Sequence, residues 1–71
     1  MDKSDLMRME ELKLYYIEHG VLPPYSGIAK LIGYRSKNSV FEFIERMKAC
    51  NRISLTPENK IKPGPYFMSD T

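Results

Sequence analysis

The fold is decided by residues 26–51, which read SGIAKLIGYRSKNSVFEFIERMKACN. Gly33 ends a short apolar helix, because glycine adopts the positive φ of a helix C-terminus without steric cost. Ser36 is a good N-cap for the next helix, since its hydroxyl can accept a hydrogen bond from a backbone N–H of the first turn. Apolar residues then recur at i, i+3, i+4 and i+7 on one helix face: Val40, Phe43, Ile44 and Met47. Two helices joined by a short glycine-containing turn indicate a helix-turn-helix, whose second helix enters the major groove of DNA.

A longer helix is predicted ahead of this unit, over about residues 4–19. Ser4 is its expected N-cap, and Gly20 ends it. An apolar stripe with the helical period indicates the face that packs on the rest of the domain. The stripe consists of Leu6, Met9, Leu12 and Tyr16, with Ile17 at its edge.

Two consecutive prolines, Pro23 and Pro24, favour an extended linker after the first helix, because the residue before a proline is pushed out of the helical region. Ser26 is expected to cap the second helix, over about residues 26–32. The third helix is predicted over about residues 36–50.

A β-hairpin is predicted directly after the third helix, over about residues 52–62. Asn51 fits the position that follows the helix, since asparagine tolerates left-handed φ better than most residues. Apolar and polar residues alternate through residues 53–56 and again through residues 60–62, and residues 57–59 have the composition of a turn. A third helix followed at once by a basic hairpin is typical of the winged variety of helix-turn-helix.

The last residues, 63–71, form a predicted tail. Pro63 and Pro65 are expected to end the strand pairing, because proline supplies no N–H for a ladder. The apolar residues 66–68 either fold back on the first helix or cover a partner, and the sequence leaves both open. The predicted fold class is therefore mainly α with a small β-hairpin: one winged helix-turn-helix domain of three helices, spanning residues 1–71.

Length and composition exclude several classes of protein. The 71 residues contain one cysteine, Cys50, and one histidine, His19, so an internal disulfide, a Cys/His metal cluster and most histidine-dependent catalytic sites are excluded. No apolar run approaches the roughly 20 residues that span a bilayer, and no apolar signal core opens the chain. We therefore expect a cytoplasmic protein that is no enzyme and needs no cofactor, with Cys50 as a small hydrophobe under the end of the third helix.

The charge is distributed unevenly along the chain. Residues 1–25 carry five acidic and three basic side chains, a net charge of −2, whereas residues 26–71 carry eight basic and four acidic ones, a net charge of +4. The positive charge therefore lies in the segment that contains the helix-turn-helix. This distribution is a modest form of the electrostatic pattern expected of a nucleic-acid interface.

From about Leu12 to Ile61 the chain resembles the N-terminal DNA-binding domains of LexA, the bacterial SOS-response repressor. The matching features are the helix that ends at Gly20, the pair Pro23-Pro24, Ile28-Ala29, the turn Gly33-Tyr34-Arg35-Ser36-Lys37-Asn38-Ser39-Val40 and the strand Ile53-Ser54-Leu55. The resemblance implies a winged helix-turn-helix that binds operator DNA and represses transcription.

The chain also departs from this family. Its proline pair lies one residue closer to the second helix, and no second domain with a self-cleavage site follows, so we expect a small stand-alone protein of a bacterium or phage without autoproteolysis. Phe41 stands where the family has one of its acidic base-reading residues, whereas the neighbouring Glu42 is retained. The resemblance therefore implies a DNA site different from the family's usual one.

The residues expected to contact bases lie in the first turns of the third helix. Asn38, Ser39 and Glu42 are predicted to share its outer face. Asparagine can pair with adenine, glutamate can accept from the cytosine N4 amine, and serine can contact either. Phe41 also lies off the core stripe, where it contacts a thymine methyl, packs on Tyr34 or meets a protein partner.

The residues expected to contact the DNA backbone surround the start of that helix and the wing. They are Arg35, Ser36, Lys37, Lys60 and Lys62. Helix N-termini bind anions, and basic side chains beside them add contacts to phosphates that orient a protein without reading sequence. Arg46 and Lys48, further along the helix, are expected to be solvated or to form a weak backbone patch.

These predictions favour a transcriptional repressor that binds double-stranded DNA, with no small-molecule ligand and no membrane. A single small module buries little DNA surface, so two copies are expected on a partly palindromic site, whether or not they dimerise in solution. The alternative is a winged helix that binds proteins and not DNA, because fold does not determine function. The aromatic residues available for such contacts are Tyr15, Phe41, Tyr66 and Phe67.

Overall fold

The computed structural model describes residues 3–33 and 36–68. Along the chain it contains the helices α1 (Lys3–His19), α2 (Tyr25–Ile32) and α3 (Lys37–Ala49), then the strands β1 (Ile53–Leu55) and β2 (Ile61–Pro63). The two strands pair antiparallel as a hairpin. The predicted fold class is confirmed: three helices followed by a small antiparallel hairpin, the topology of a winged helix-turn-helix.

The signals that end α2 and begin α3 act as predicted. Gly33 adopts left-handed φ, +79°, and its N–H donates to the carbonyl of Ala29. Ser36 is extended, and its Oγ accepts from the N–H of Ser39 at 3.2 Å. An N-cap of this kind contributes about 1 kcal/mol to the stability of a helix. Asn51, beyond the end of α3, takes φ +59° as its residue type allows.

Two predicted N-caps are wrong. Ser4 lies within α1, which begins at Lys3. The N-cap of α2 is Pro24 and not Ser26, and the carbonyl of Pro24 accepts from the N–H of Ile28 at 2.9 Å. Because the φ of proline is already close to the helical value, the chain enters α2 directly from the proline linker.

The core lies where all three helices, β1 and the tail meet. Its fully buried apolar residues are Met9, Leu12, Ile28, Val40, Phe43, Ile44, Met47, Ile53 and Phe67. The predicted seam of α3 is confirmed in full, whereas Leu6 and Ile17 of the α1 stripe are exposed. Cys50 is exposed as well, so its predicted place under the helix is wrong. It is the C-cap of α3, and the backbone turns at the next residue.

The hairpin is short and closed by a polar turn. Leu55 pairs with Ile61, and Ile53 pairs with Pro63, so pairing extends one residue further than predicted. A proline is tolerated there because both strands of a two-stranded sheet are edge strands. Thr56 closes the turn twice: its N–H donates to the Lys60 carbonyl at 2.9 Å, and its Oγ1 accepts from the Lys60 N–H at 3.0 Å.

Phe67 of the tail folds back on α1, as one of the two alternatives predicted, whereas its neighbours Tyr66 and Met68 are exposed. Phe67 is only 2% exposed, and its ring meets the ring of Tyr16 edge to face, with 5.4 Å between centroids. Backbone bonds hold the tail against the chain after α3: Gly64 N–H donates to Arg52 O at 3.0 Å, and Tyr66 N–H donates to Asn51 O at 2.8 Å. Over the described ranges, no helix is long and apolar enough to cross a membrane.

Candidate nucleic-acid interface

The first turn of α3 is organised by two serines. Ser36 caps the helix, and its Oγ lies 3.0 Å from the Oγ of Ser39. The predicted base contact of Ser39 therefore competes with a hydrogen bond inside the protein, and Ser39 is half-buried. Ser36 itself is exposed at the N-terminal end of α3, and backbone N–H groups at such an end favour an anion.

Asn38 and Glu42 are exposed on the side of α3 opposite its core seam. They lie four residues apart, so their side chains are neighbours on the helix surface. Glu45 continues this outer face, and its carboxylate accepts from Lys48 Nζ at 3.2 Å. The outer face thus presents an amide and a carboxylate to solvent at the start of the helix and an ion pair further along.

Phe41 contacts an aromatic residue of α2. Its ring lies 4.8 Å from the ring of Tyr25, between centroids, at an interplanar angle of 51°. The side chain of Phe41 remains 47% exposed. Tyr34, the predicted packing partner, lies outside the described residues, and so does Arg35, which was expected on the DNA backbone.

Tyr25 joins two surface grooves. One groove lies between α2 and α3 and is lined by Tyr25, Ser26, Ala29, Lys37, Val40 and Phe41. The other lies between the proline linker and the hairpin, where Tyr25 shares the lining with Pro24 and Lys60. Tyr25 therefore shares one groove with Lys37 at the start of α3 and the other with Lys60 of the wing. Lys62, the second predicted wing contact, is exposed on β2.

Tyr25 belongs to this candidate surface, and the sequence did not predict it. It precedes the predicted start of α2, so no helix face could be assigned to it. The signal that could have found it is the proline pair, since a residue directly after Pro24 occupies the first position of the helix.

Arg46 forms a partly buried ion pair, which corrects the prediction that it is solvated or belongs to a weak backbone patch. Its Nε donates to Asp5 Oδ2 at 2.8 Å, and its Nη2 donates to Asp5 Oδ1 at 3.0 Å. Asp5 is 2% exposed and also lies 3.5 Å from Arg8 Nη1. Hydrogen bonding to Arg46 lowers the pKa of the Asp5 carboxyl below its ordinary value of 3.8, and the charges of Arg46 and Arg8 add to this against the opposing effect of burial. The pair ties the start of α1 to α3.

Fewer basic side chains are available to a polyanion than the sequence contains. Arg46 binds Asp5, Lys48 binds Glu45, and Arg52 is buried. The exposed cations that remain beside the start of α3 and on the wing, within the described ranges, are Lys37, Lys60 and Lys62. These three are the lysines predicted from the sequence to contact the DNA backbone, and all three are exposed.

Comparison with known protein families, with curated proteins and with solved structures finds no match for this chain. The resemblance to the LexA domains therefore stays a prediction from the residues that carry it. In residues 3–33 and 36–68, no group of His, Cys, Asp and Glu side chains has an arrangement that could hold a metal ion.

Proposed function

We propose that the chain is a sequence-specific regulator of transcription that binds double-stranded DNA, acts as a repressor and reads the major groove with the first turns of α3. The observation that carries this proposal is the exposure of Asn38 and Glu42 on the outer face of a helix that Ser36 caps. Base-reading side chains need such a position, because only residues near the N-terminus of a recognition helix reach base edges.

The charges around this face support the same function. Lys37 lies one residue before Asn38, and Lys60 of the wing lines a groove with Tyr25, which also lines the groove of Lys37. The carboxylate of Glu42 would be repelled by phosphates, so a contact to the cytosine N4 amine suits it better than a contact to the DNA backbone. In this proposal the lysines position the protein and the outer face of α3 specifies the sequence.

One copy of so small a module buries only about 600–1,000 Å² on DNA, and two copies on a partly palindromic site would supply the rest of the affinity. The regulator would act in the cytoplasm of a bacterium, where its own genes or those of a phage lie on accessible DNA. Repression follows when the occupied site overlaps a promoter.

A protein-interaction module is the second candidate. Apolar side chains on the outer side of α1 favour it: Met7, Leu14 and Ile17 are each more than 60% exposed. Phe67, one of the aromatic residues expected to serve this alternative, lies in the core and is not available to a partner.

The two candidates differ in their response to salt. We would titrate a fluorescent random duplex with the protein at low and at high salt, and select bound duplexes from a random pool. A DNA-binding protein that neutralises phosphates loses affinity steeply as salt rises. Enrichment of one sequence together with a steep salt dependence supports the repressor, whereas the absence of both contradicts it and favours the protein-interaction module.

Single substitutions separate base reading from backbone contact. Asn38→Ala is expected to lower the affinity for the selected duplex by about 1–3 kcal/mol, with little change on random duplex. Lys60→Ala is expected to weaken binding to both duplexes alike and to lower the salt slope by about one. Lys3→Ala removes a cation of α1 and serves as the control, which should leave both affinities unchanged. An equal loss on both duplexes for Asn38→Ala would contradict base reading by this residue.

A further inference from the structure

We propose that Phe41, whose ring is held in place by Tyr25, forms a contact site for the C5-methyl group of a thymine in the DNA target. This inference rests on the proposed function and extends it, because it names a base and assigns a role to a residue of α2. Asn38 and Glu42 read only polar groups, and the groove beside them offers a different kind of contact.

The lining of the groove between α2 and α3 is almost entirely apolar, and Lys37 is the charged residue among those that line it. Ala29 and Val40 contribute aliphatic carbon atoms to its lining, and the rings of Tyr25 and Phe41 contact each other along it. Lys37, which is exposed, belongs to the same lining. A basic residue beside an apolar groove suits a ligand whose apolar group lies close to a phosphate, and duplex DNA is such a ligand.

Among the groups that the four bases present in the major groove, the thymine methyl is the apolar one. An apolar groove beside a base-reading face can therefore discriminate only at a thymine. Burial of one methyl group favours binding by about 4-fold, from about 0.8 kcal/mol per buried carbon. Phe41 is nearly half exposed, so its ring has surface left to cover the methyl.

The position of the thymine follows from the spacing of the helix. Asn38 and Phe41 lie three residues apart and are neighbours on the surface of α3. If Asn38 pairs with an adenine, Phe41 reaches the same or the adjacent base pair. Tyr25 does not lie on α3, and its role is to hold the ring of Phe41 over the groove. We therefore expect the target to contain a thymine beside the base that Asn38 reads.

Replacing thymine by deoxyuridine tests this directly, because the substitution removes the methyl group and keeps every hydrogen-bonding atom. In the selected duplex, each thymine would be replaced in turn and the dissociation constant measured by fluorescence anisotropy. One position in each half-site is expected to lose about 4-fold in affinity. With Phe41→Ala, the deoxyuridine and thymine duplexes should bind equally well at that position.

Two further variants sharpen the comparison. Phe41→Gln keeps a good helix former and should also abolish the methyl effect. Tyr66→Ala removes an exposed aromatic ring of the tail and should leave the effect intact. Specific binding without a methyl effect at any position would overturn this inference but not the proposed function, and so would a methyl effect that survives Phe41→Ala. Failure to bind any duplex specifically would overturn both.

Discussion

Replacing Phe67 with alanine is expected to lower the free energy of unfolding by about 3–5 kcal/mol. Phe67 is 2% exposed and packs edge to face on Tyr16, so its removal leaves a cavity between the tail and α1. A domain of this size rarely has more than about 3–5 kcal/mol from its core. The variant should therefore be largely unfolded at room temperature, which far-UV circular dichroism during urea titration would measure.

The adjacent tyrosine provides a matched control for this prediction. Tyr66 is 59% exposed, and its backbone N–H donates to the Asn51 carbonyl, a hydrogen bond that substitution by alanine keeps. Tyr66→Ala should change stability by no more than about 0.5 kcal/mol. Phe67→Leu, which keeps most of the apolar volume, should cost about 1–1.5 kcal/mol and remain folded. Equal stability of Phe67→Ala and Tyr66→Ala would show that the tail does not close the core.

Replacing Arg46 with methionine is expected to cost about 2–3 kcal/mol. Removal of one partner from a fully buried ion pair costs about 3–5 kcal/mol, because the other charge stays buried. The cost is smaller here, since the Arg46 side chain is 46% exposed and Arg8 stays within 3.5 Å of Asp5. Lys48→Met is the control: it breaks the exposed pair with Glu45 and should cost no more than about 0.5 kcal/mol.

The effect of Arg46→Met should depend on pH. The pKa of Asp5 is lowered in the folded protein, so its ion pair contributes fully above the unfolded pKa of about 4 and is lost as pH falls through the folded value. The free energies of unfolding of the two proteins, measured by urea titration, should therefore differ most near neutral pH. They should begin to converge as the pH falls below about 4. A difference that stays constant down to acid pH would mean that the Asp5 carboxylate is not the group that Arg46 stabilises.

Most of the fold could be predicted because its signals are local. Gly33, Ser36 and Asn51 each act on the turn in which they stand, and the seam of α3 repeats with the helical period. The contacts that were missed join distant parts of the chain. Asp5 and Arg46 are 41 residues apart, and no local pattern pairs them. The tail is a similar case, because the sequence shows that Phe67 is apolar but not what it covers.

The candidate site, too, could be predicted only where local sequence signals determine it. Periodicity assigns Asn38 and Glu42 to the outer face of α3, and the structure exposes both. Periodicity alone also assigned Ser39 to that face, but the hydroxyl of Ser39 bonds to the cap residue. Assigning Tyr25 to the candidate site requires knowing where α2 begins, and that boundary depends on Pro24 and not on a polar cap.

The bond between Asp5 and Arg46 makes the position of α3 depend on the first turns of α1. A chain shortened past Asp5 would lack the carboxylate that Arg46 binds. Such a product would keep the residues proposed to read DNA while losing the tie between its first and third helices. Removal of the first turns of α1 would therefore weaken the hold on α3 without touching its exposed face.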